Sequence, residues 1–97
     1  MTFLDVAQTP PLGWNSWDCF GASVREEEVR EHALIMSQTL KQYGWEYIVV
    51  DIQWSEPQAD STVYHPFYPL NMDECSRLLP AENRFPSAQG GKGFKEL

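Results

Sequence analysis

The spacing of apolar residues predicts a strand followed by a helix in the first half of the chain. Residues 9–15 open with two prolines and continue into apolar residues, which is typical of a short strand entered from a loop. One apolar stripe then recurs every three or four positions, at Val29, Ala33, Met36, Leu40 and Tyr43. This period indicates an amphipathic helix with one face turned towards a core.

Polar residues mark both ends of this helix. Ser23 and Glu26 have the spacing of a capping box, and the acidic residues 26–28 fall in the first turn, where the helix dipole favours negative charge. Gly44 follows the last apolar residue of the stripe, as a left-handed C-terminal cap does. We therefore predict a helix that begins at Ser23 and is stopped by Gly44.

Residues 45–53 have the pattern of a second strand. The unbroken apolar run at residues 47–50 is typical of a parallel strand covered on both faces. Strand, helix and strand make a β-α-β unit, but one such unit cannot close a sheet or cover both faces of its second strand. The pattern predicts an α/β fold that is incomplete in this chain, as expected of the N-terminal piece of a larger protein.

The second half of the chain is predicted to be mainly loop. Residues 54–91 contain five prolines and show little helical period, and a loop of this length is usually functional or carries its own substructure. Residues 70–80 are compatible with a small hairpin that turns at Cys75 and Ser76. Residues 92–97, KGFKEL, are predicted to start another helix.

Charge and cysteine content exclude several classes of function. The net charge is −7 and the seven lysines and arginines are scattered, so nucleic acid and anionic membrane surfaces are poor partners. Cys19 and Cys75 fit neither a disulfide scaffold nor a metal-binding spacing, which predicts free thiols and no metal or cofactor. The first residues lack the pattern of a secretory signal, so we expect a cytoplasmic location.

Aromatic and acidic residues follow both predicted strands. Trp17 comes after the first strand and Asp51 after the second, and ligands of parallel α/β folds bind at the carboxyl ends of strands. A tryptophan ring can cover the apolar face of a sugar, while a carboxylate accepts hydrogen bonds from its hydroxyls. Either residue could instead serve packing or a turn. Ser16 is not predicted to be a nucleophile, because the chain has no GxSxG sequence.

Four segments carry a family resemblance, in order and with matching spacing. They are PPLGWNSWDCF, YGWEYIVVDIQW, RLLPAENRFPS and GGKGF. In these segments the chain resembles the opening of glycoside hydrolase family 27, the α-galactosidase family, from about Thr9 to Leu97. The pairing of GWNSW with a later glycine, an apolar strand and D-x-x-W is specific.

The resemblance implies a retaining glycosidase on a (β/α)8 barrel, of which residues 1–97 would be the N-terminal part. They would supply the first strand, the first helix, the second strand, a long loop and the start of the second helix of the catalytic domain. In the family two aspartates perform the chemistry, one as nucleophile and one as acid/base. Both are expected beyond Leu97, so no catalytic residue is assigned in this chain and the 97 residues alone are expected to be inactive.

The resemblance also implies a sugar-binding role for Trp17, Asp51 and Ile52. Trp17 matches an aromatic wall, and Asp51 matches the first of two adjacent aspartates that bind galactose hydroxyls. Ile52 stands where many relatives have the second aspartate, which removes a hydrogen-bond acceptor near the hydroxymethyl group of galactose. Gln53 stands where eukaryotic members commonly have a cysteine, so their disulfide is expected to be absent.

These departures leave several interpretations open. An enzyme that cleaves both α-D-galactopyranosides and β-L-arabinopyranosides is favoured, because β-L-arabinopyranose is galactose without the hydroxymethyl group. Enzymes specific for β-L-arabinopyranosides or α-N-acetylgalactosaminides are alternatives within the class, and Ile52 could serve packing alone. The alternative from another class is a non-catalytic carbohydrate-binding or interaction module that is complete at 97 residues. The oligomeric state is not predicted.

Overall fold

The computed structural model describes residues 5–97 and consists of a small α/β unit followed by a long loop. Its strands and α-helices, in chain order, are β1 (Leu12–Asn15), α1 (Ser16–Phe20), α2 (Glu26–Thr39) and β2 (Trp45–Val49), and short 3₁₀ helices lie at Lys41–Tyr43 and Pro86–Ala88. The two strands pair in parallel, with Asn15 opposite Val49 at their carboxyl ends. The predicted strand–helix–strand unit is therefore confirmed, whereas α1 was not predicted.

Helix α2 is shorter than the predicted helix, which began at Ser23 and was stopped by Gly44. It begins after Arg25, whose backbone N–H donates to the carboxylate of Glu28 over 2.7 Å, so the capping interaction lies two residues later than predicted. Ser23 is not the cap, because it lies two residues before Arg25, and its hydroxyl donates to the carbonyl of Phe20 instead. The helix tightens into a 3₁₀ turn at Lys41–Tyr43, and Gly44 ends it in the left-handed conformation, with φ of 92°, as predicted.

Among residues 5–97, strand β2 is covered on one face only. Ile48 and Val50 are half-buried and pack on the core with α2, whereas Tyr47 and Val49 point away and are 56% and 43% exposed. The strand also ends at Val49, earlier than predicted, since residues 52–55 turn away from the strand direction. The exposure of this second face agrees with the prediction that the described part of the chain supplies too few elements for a strand covered on both faces.

The core lies between the sheet, α2 and the last residues of the chain. Val24, Val29, Phe85 and Ala88 form its buried centre. The ring of Phe94 packs edge-on against Phe85, with 5.1 Å between ring centroids. Burial of these apolar side chains holds the C-terminal segment against the β-α-β unit.

The long loop contains the predicted hairpin in minimal form. Met72 and Leu78 make a single antiparallel bridge, and Ser76 turns with a φ of 61°. The prediction of a helix start in residues 92–97 is wrong for this structure, because residues 90–96 form successive turns. Three glycines at positions 90, 91 and 93 adopt positive φ angles there, which an α-helix does not allow.

Two further features bear on function. Cys19 and Cys75 are exposed free thiols, as predicted. Within residues 5–97, no helix is long and apolar enough to cross a membrane.

Candidate sugar-binding site

The carboxyl ends of the two parallel strands bring the candidate residues to one edge of the sheet. Asn15 ends β1, and its side-chain oxygen accepts a hydrogen bond from the backbone N–H of Trp17 over 2.8 Å. This cap starts α1 directly at the strand end. Trp17 is consequently held in the first turn of α1, with 44% of its surface exposed.

Ser16 joins the two strand ends. Its side chain is fully buried, and its hydroxyl oxygen accepts a hydrogen bond from the backbone N–H of Asp51 over 2.9 Å. The hydroxyl is thus engaged in fixing the start of the second loop. This arrangement agrees with the exclusion of Ser16 as a nucleophile.

Asp51 and Ile52 follow directly after β2. One carboxylate oxygen of Asp51 accepts the backbone N–H of Ile52 over 2.7 Å. Among residues 5–97, no group donates a hydrogen bond to its other carboxylate oxygen, which leaves that oxygen able to accept one from a ligand. Ile52 is 43% exposed, so an isoleucine side chain is presented to solvent beside a carboxylate.

Gln53 turns the chain away from this edge. Its φ of 61° is left-handed, which is uncommon for a residue other than glycine. The side chain is buried, and its amide nitrogen donates to the carbonyl of His65 over 2.6 Å. Gln53 therefore ties the turn after Asp51 and Ile52 to a distant part of the long loop.

Arg84 is a buried residue for which the sequence pattern predicts no role. Its guanidinium donates to four backbone carbonyls over 2.8–3.1 Å, those of Ala22, Val24, Gln53 and Glu56. Two of these lie before α2 and two lie after β2, so one side chain clamps both loops at the carboxyl edge. Burial lowers the pKa of Arg84, and the nearby Glu56 carboxylate opposes this shift. In the sequence the segment NRFPS carries the family resemblance, and no local pattern in it predicts that Arg84 is buried.

A polar group orders the long loop. His65 lies within the loop, and its Nδ1–H donates to the buried carboxylate of Glu56 over 2.7 Å. Its Nε2 lies 3.6 Å from a carboxylate oxygen of Asp60. The pKa of Asp60 is lowered chiefly by the backbone N–H groups of Thr62 and Val63. These contacts show that His65, which the sequence left without a role, helps to fold the loop.

The structure also limits what the site can hold. Within residues 5–97, no group of three or more histidine, cysteine or acidic side chains is arranged to bind a metal ion. A groove of about 570 Å³ lies in the loop between Pro57 and Asn83, and none of Trp17, Asp51 and Ile52 lines it. The candidate residues instead occupy an open edge.

Comparison with known proteins identifies the family. No protein-family model matches the chain. An α-galactosidase of Cyamopsis tetragonoloba is 39% identical over 83 residues, covering 84% of this chain and 17% of the relative. An α-galactosidase of Coffea arabica is 36% identical over 80 residues, covering 81% of this chain and 18% of the relative.

One solved structure has a higher sequence identity to this chain than these two α-galactosidases. It is a β-L-arabinopyranosidase of glycoside hydrolase family 27 from Geobacillus stearothermophilus, in complex with arabinose. It is 65% identical, covers 98% of this chain and 22% of the solved chain, and superposes with a TM-score of 0.90. This chain thus spans about a fifth of the length of its relatives. Because sequence and backbone agree over nearly all of its residues, the chain belongs to glycoside hydrolase family 27.

Proposed function

We propose that this chain is the first part of a (β/α)8 barrel in a retaining exo-glycosidase. The enzyme would hydrolyse terminal β-L-arabinopyranosides and α-D-galactopyranosides without a metal or cofactor. The observation that carries this proposal is the sequence Asp51-Ile52 at the carboxyl end of β2, joined through Ser16 to the segment that presents Trp17. Ligands bind at this end of the strands in such barrels.

Each of the three residues has a chemical task in this proposal. The exposed ring of Trp17 would cover the apolar face of the sugar ring. The free carboxylate oxygen of Asp51 would accept a hydrogen bond from a sugar hydroxyl. Ile52 would provide an apolar wall where galactose carries its hydroxymethyl group and arabinopyranose carries none.

The two catalytic aspartates are proposed to lie beyond Leu97. The exposed face of β2, with Tyr47 and Val49, supports this part of the proposal, since further strands of a barrel would cover it. The 97 residues alone are accordingly expected to be inactive.

A relaxed specificity follows from the asymmetry of polar recognition. A site built to bond a hydroxyl rejects an analogue without it by about 10⁴-fold, whereas an apolar site rejects an added hydroxyl by only about 10²-fold. An isoleucine at this position is therefore expected to favour the arabinopyranoside while still tolerating the galactoside. The Geobacillus structure that is named a β-L-arabinopyranosidase and is 65% identical to this chain supports the inclusion of arabinopyranosides among the substrates.

The test is an Ile52→Asp variant of the complete natural protein, assayed on aryl β-L-arabinopyranoside and aryl α-D-galactopyranoside. The galactoside-to-arabinoside ratio of kcat/KM should rise by roughly tenfold or more, because the aspartate restores an acceptor for the extra hydroxyl. Ile35→Asp is the matched control, since Ile35 is similarly exposed but lies on α2, and it should leave the ratio unchanged.

Two results would contradict this proposal. An unchanged ratio in Ile52→Asp would show that another residue distinguishes the two sugars and that Ile52 serves packing. A wild-type protein that binds either sugar but hydrolyses neither glycoside would exclude the enzyme and favour a carbohydrate-binding module.

A further inference from the structure

Gln53 combines two properties that stability alone does not favour. Its backbone is left-handed, although the residue is not glycine. Its side-chain oxygen is buried and has no hydrogen-bond partner among residues 5–97. Backbone strain and unsatisfied polar atoms of this kind collect at functional sites, where the surrounding structure holds them in place.

The surroundings hold Gln53 from two sides. Its side-chain amide donates to the carbonyl of His65, and its own carbonyl accepts the guanidinium of Arg84 over 2.8 Å. His65 is itself fixed by its hydrogen bond to Glu56. Both anchors act on the residue that immediately follows Ile52. A shift of Gln53 would therefore rotate the peptide that sets the direction of the Ile52 side chain.

We propose that Gln53 is a positioning residue that fixes Asp51 and Ile52 and thereby sets discrimination between sugars with and without a hydroxymethyl group. This inference rests on the proposed function. Gln53 does not touch the sugar in this arrangement, because its side chain is buried and directed at His65. It acts through the backbone of its two preceding neighbours.

The diagnostic variant is Gln53→Met in the complete protein. Methionine has a similar length and the same non-glycine backbone preference, so it removes the hydrogen bond to His65 without adding strain. It also removes the unpartnered buried oxygen, which offsets part of the loss. The fold should survive. Gln42→Met is the matched control, because Gln42 is exposed and lies before β2, at the opposite end of that strand.

The first readout is independent of sugar chemistry. Amide hydrogen exchange at Asp51 and Ile52 should accelerate by roughly tenfold in Gln53→Met, because one hydrogen bond that fixes the turn is lost. It should stay at the wild-type rate in Gln42→Met. Unchanged exchange in Gln53→Met would overturn the positioning role.

The second readout is a double-mutant cycle with Ile52→Asp. If Gln53 positions residue 52, the increase in the galactoside-to-arabinoside ratio caused by Ile52→Asp should shrink at least threefold in the Gln53→Met background. A residue needed only for folding would leave that increase intact, and such additivity would overturn this inference alone. Failure of the proposed function is recognised separately, because the wild-type protein would then hydrolyse neither glycoside.

Discussion

Replacing Arg84 with methionine tests whether one buried side chain holds the two loops at the carboxyl edge. Arg84 is 3% exposed, and methionine preserves most of its aliphatic stem while removing the guanidinium. Four backbone carbonyls then lose the hydrogen bond from the guanidinium. The structure predicts a loss of stability together with opening of the loops that precede α2 and follow β2.

The magnitude depends on which carbonyls keep another partner. Those of Gln53 and Glu56 still accept backbone N–H groups from Glu56 and Ala59. Those of Ala22 and Val24 have no second donor among residues 5–97, and each unsatisfied buried carbonyl costs about 1–3 kcal/mol. Part of this is offset, since the buried guanidinium no longer has to be desolvated. We expect the free energy of unfolding to fall by about 3–5 kcal/mol.

The assay is urea unfolding of the complete protein, with Arg77→Met as the matched control. Arg77 has a 77% exposed side chain that pairs with Asp73, and such pairs contribute at most about 1 kcal/mol. With a denaturant dependence of about 3 kcal/mol per M, Arg84→Met should lower the unfolding midpoint by about 1–2 M. Equal urea unfolding midpoints for the two variants would refute the conclusion that the hydrogen bonds of Arg84 hold the two loops together.

Two further predictions concern the sheet and the hairpin. Gly13→Ala should destabilise the protein by about 1–3 kcal/mol in the same urea assay. The added Cβ would overlap the backbone carbonyl of Tyr47 and lie 2.7 Å from the Cβ of Tyr47. A Gly13→Ala variant with wild-type stability would contradict this close contact. The pKa of the Asp73 carboxyl should lie below the ordinary value of an aspartate when followed by NMR, because the backbone N–H of Arg77 donates to it. The lowered pKa stabilises the turn at pH values above the unfolded pKa of Asp73, and this stabilisation is lost as the pH falls through the folded pKa. An Asp73 pKa at or above that of an unfolded aspartate would contradict the hydrogen bond.

Local signals in the sequence predicted the regular elements well. The period of the apolar residues and the acids at residues 26–28 located α2, and Gly44 marked the end of the helical segment, because these preferences act within one or two turns of chain. The predicted capping residue was wrong by two positions, because Ser23 lies in the turn that follows α1 and hydrogen-bonds there to the carbonyl of Phe20. The helix predicted to start in residues 92–97 was wrong, because the glycines at positions 90, 91 and 93 adopt positive φ angles and form turns.

In the candidate site, too, some residues could be selected from the sequence and the roles of others could not. Trp17, Asp51 and Ile52 could be selected from the sequence, because the ends of parallel strands lie at the same edge and the resemblance singled out the same positions. Their roles in sugar binding stay predictions. The roles of Gln53 and Arg84 were not predictable, since their hydrogen bonds join residues that are 12 to 62 positions apart in the chain.

The sequence by itself determined the β-α-β order, the family and the identity of the residues at the strand ends. Only the tertiary structure decided how those ends are held together, through Ser16 to Asp51 and through Arg84 to both loops. The physical reason is the range of the interactions. Apolar period and capping preferences are properties of neighbouring residues, whereas a buried hydroxyl or guanidinium finds its partners only after distant segments have packed around it.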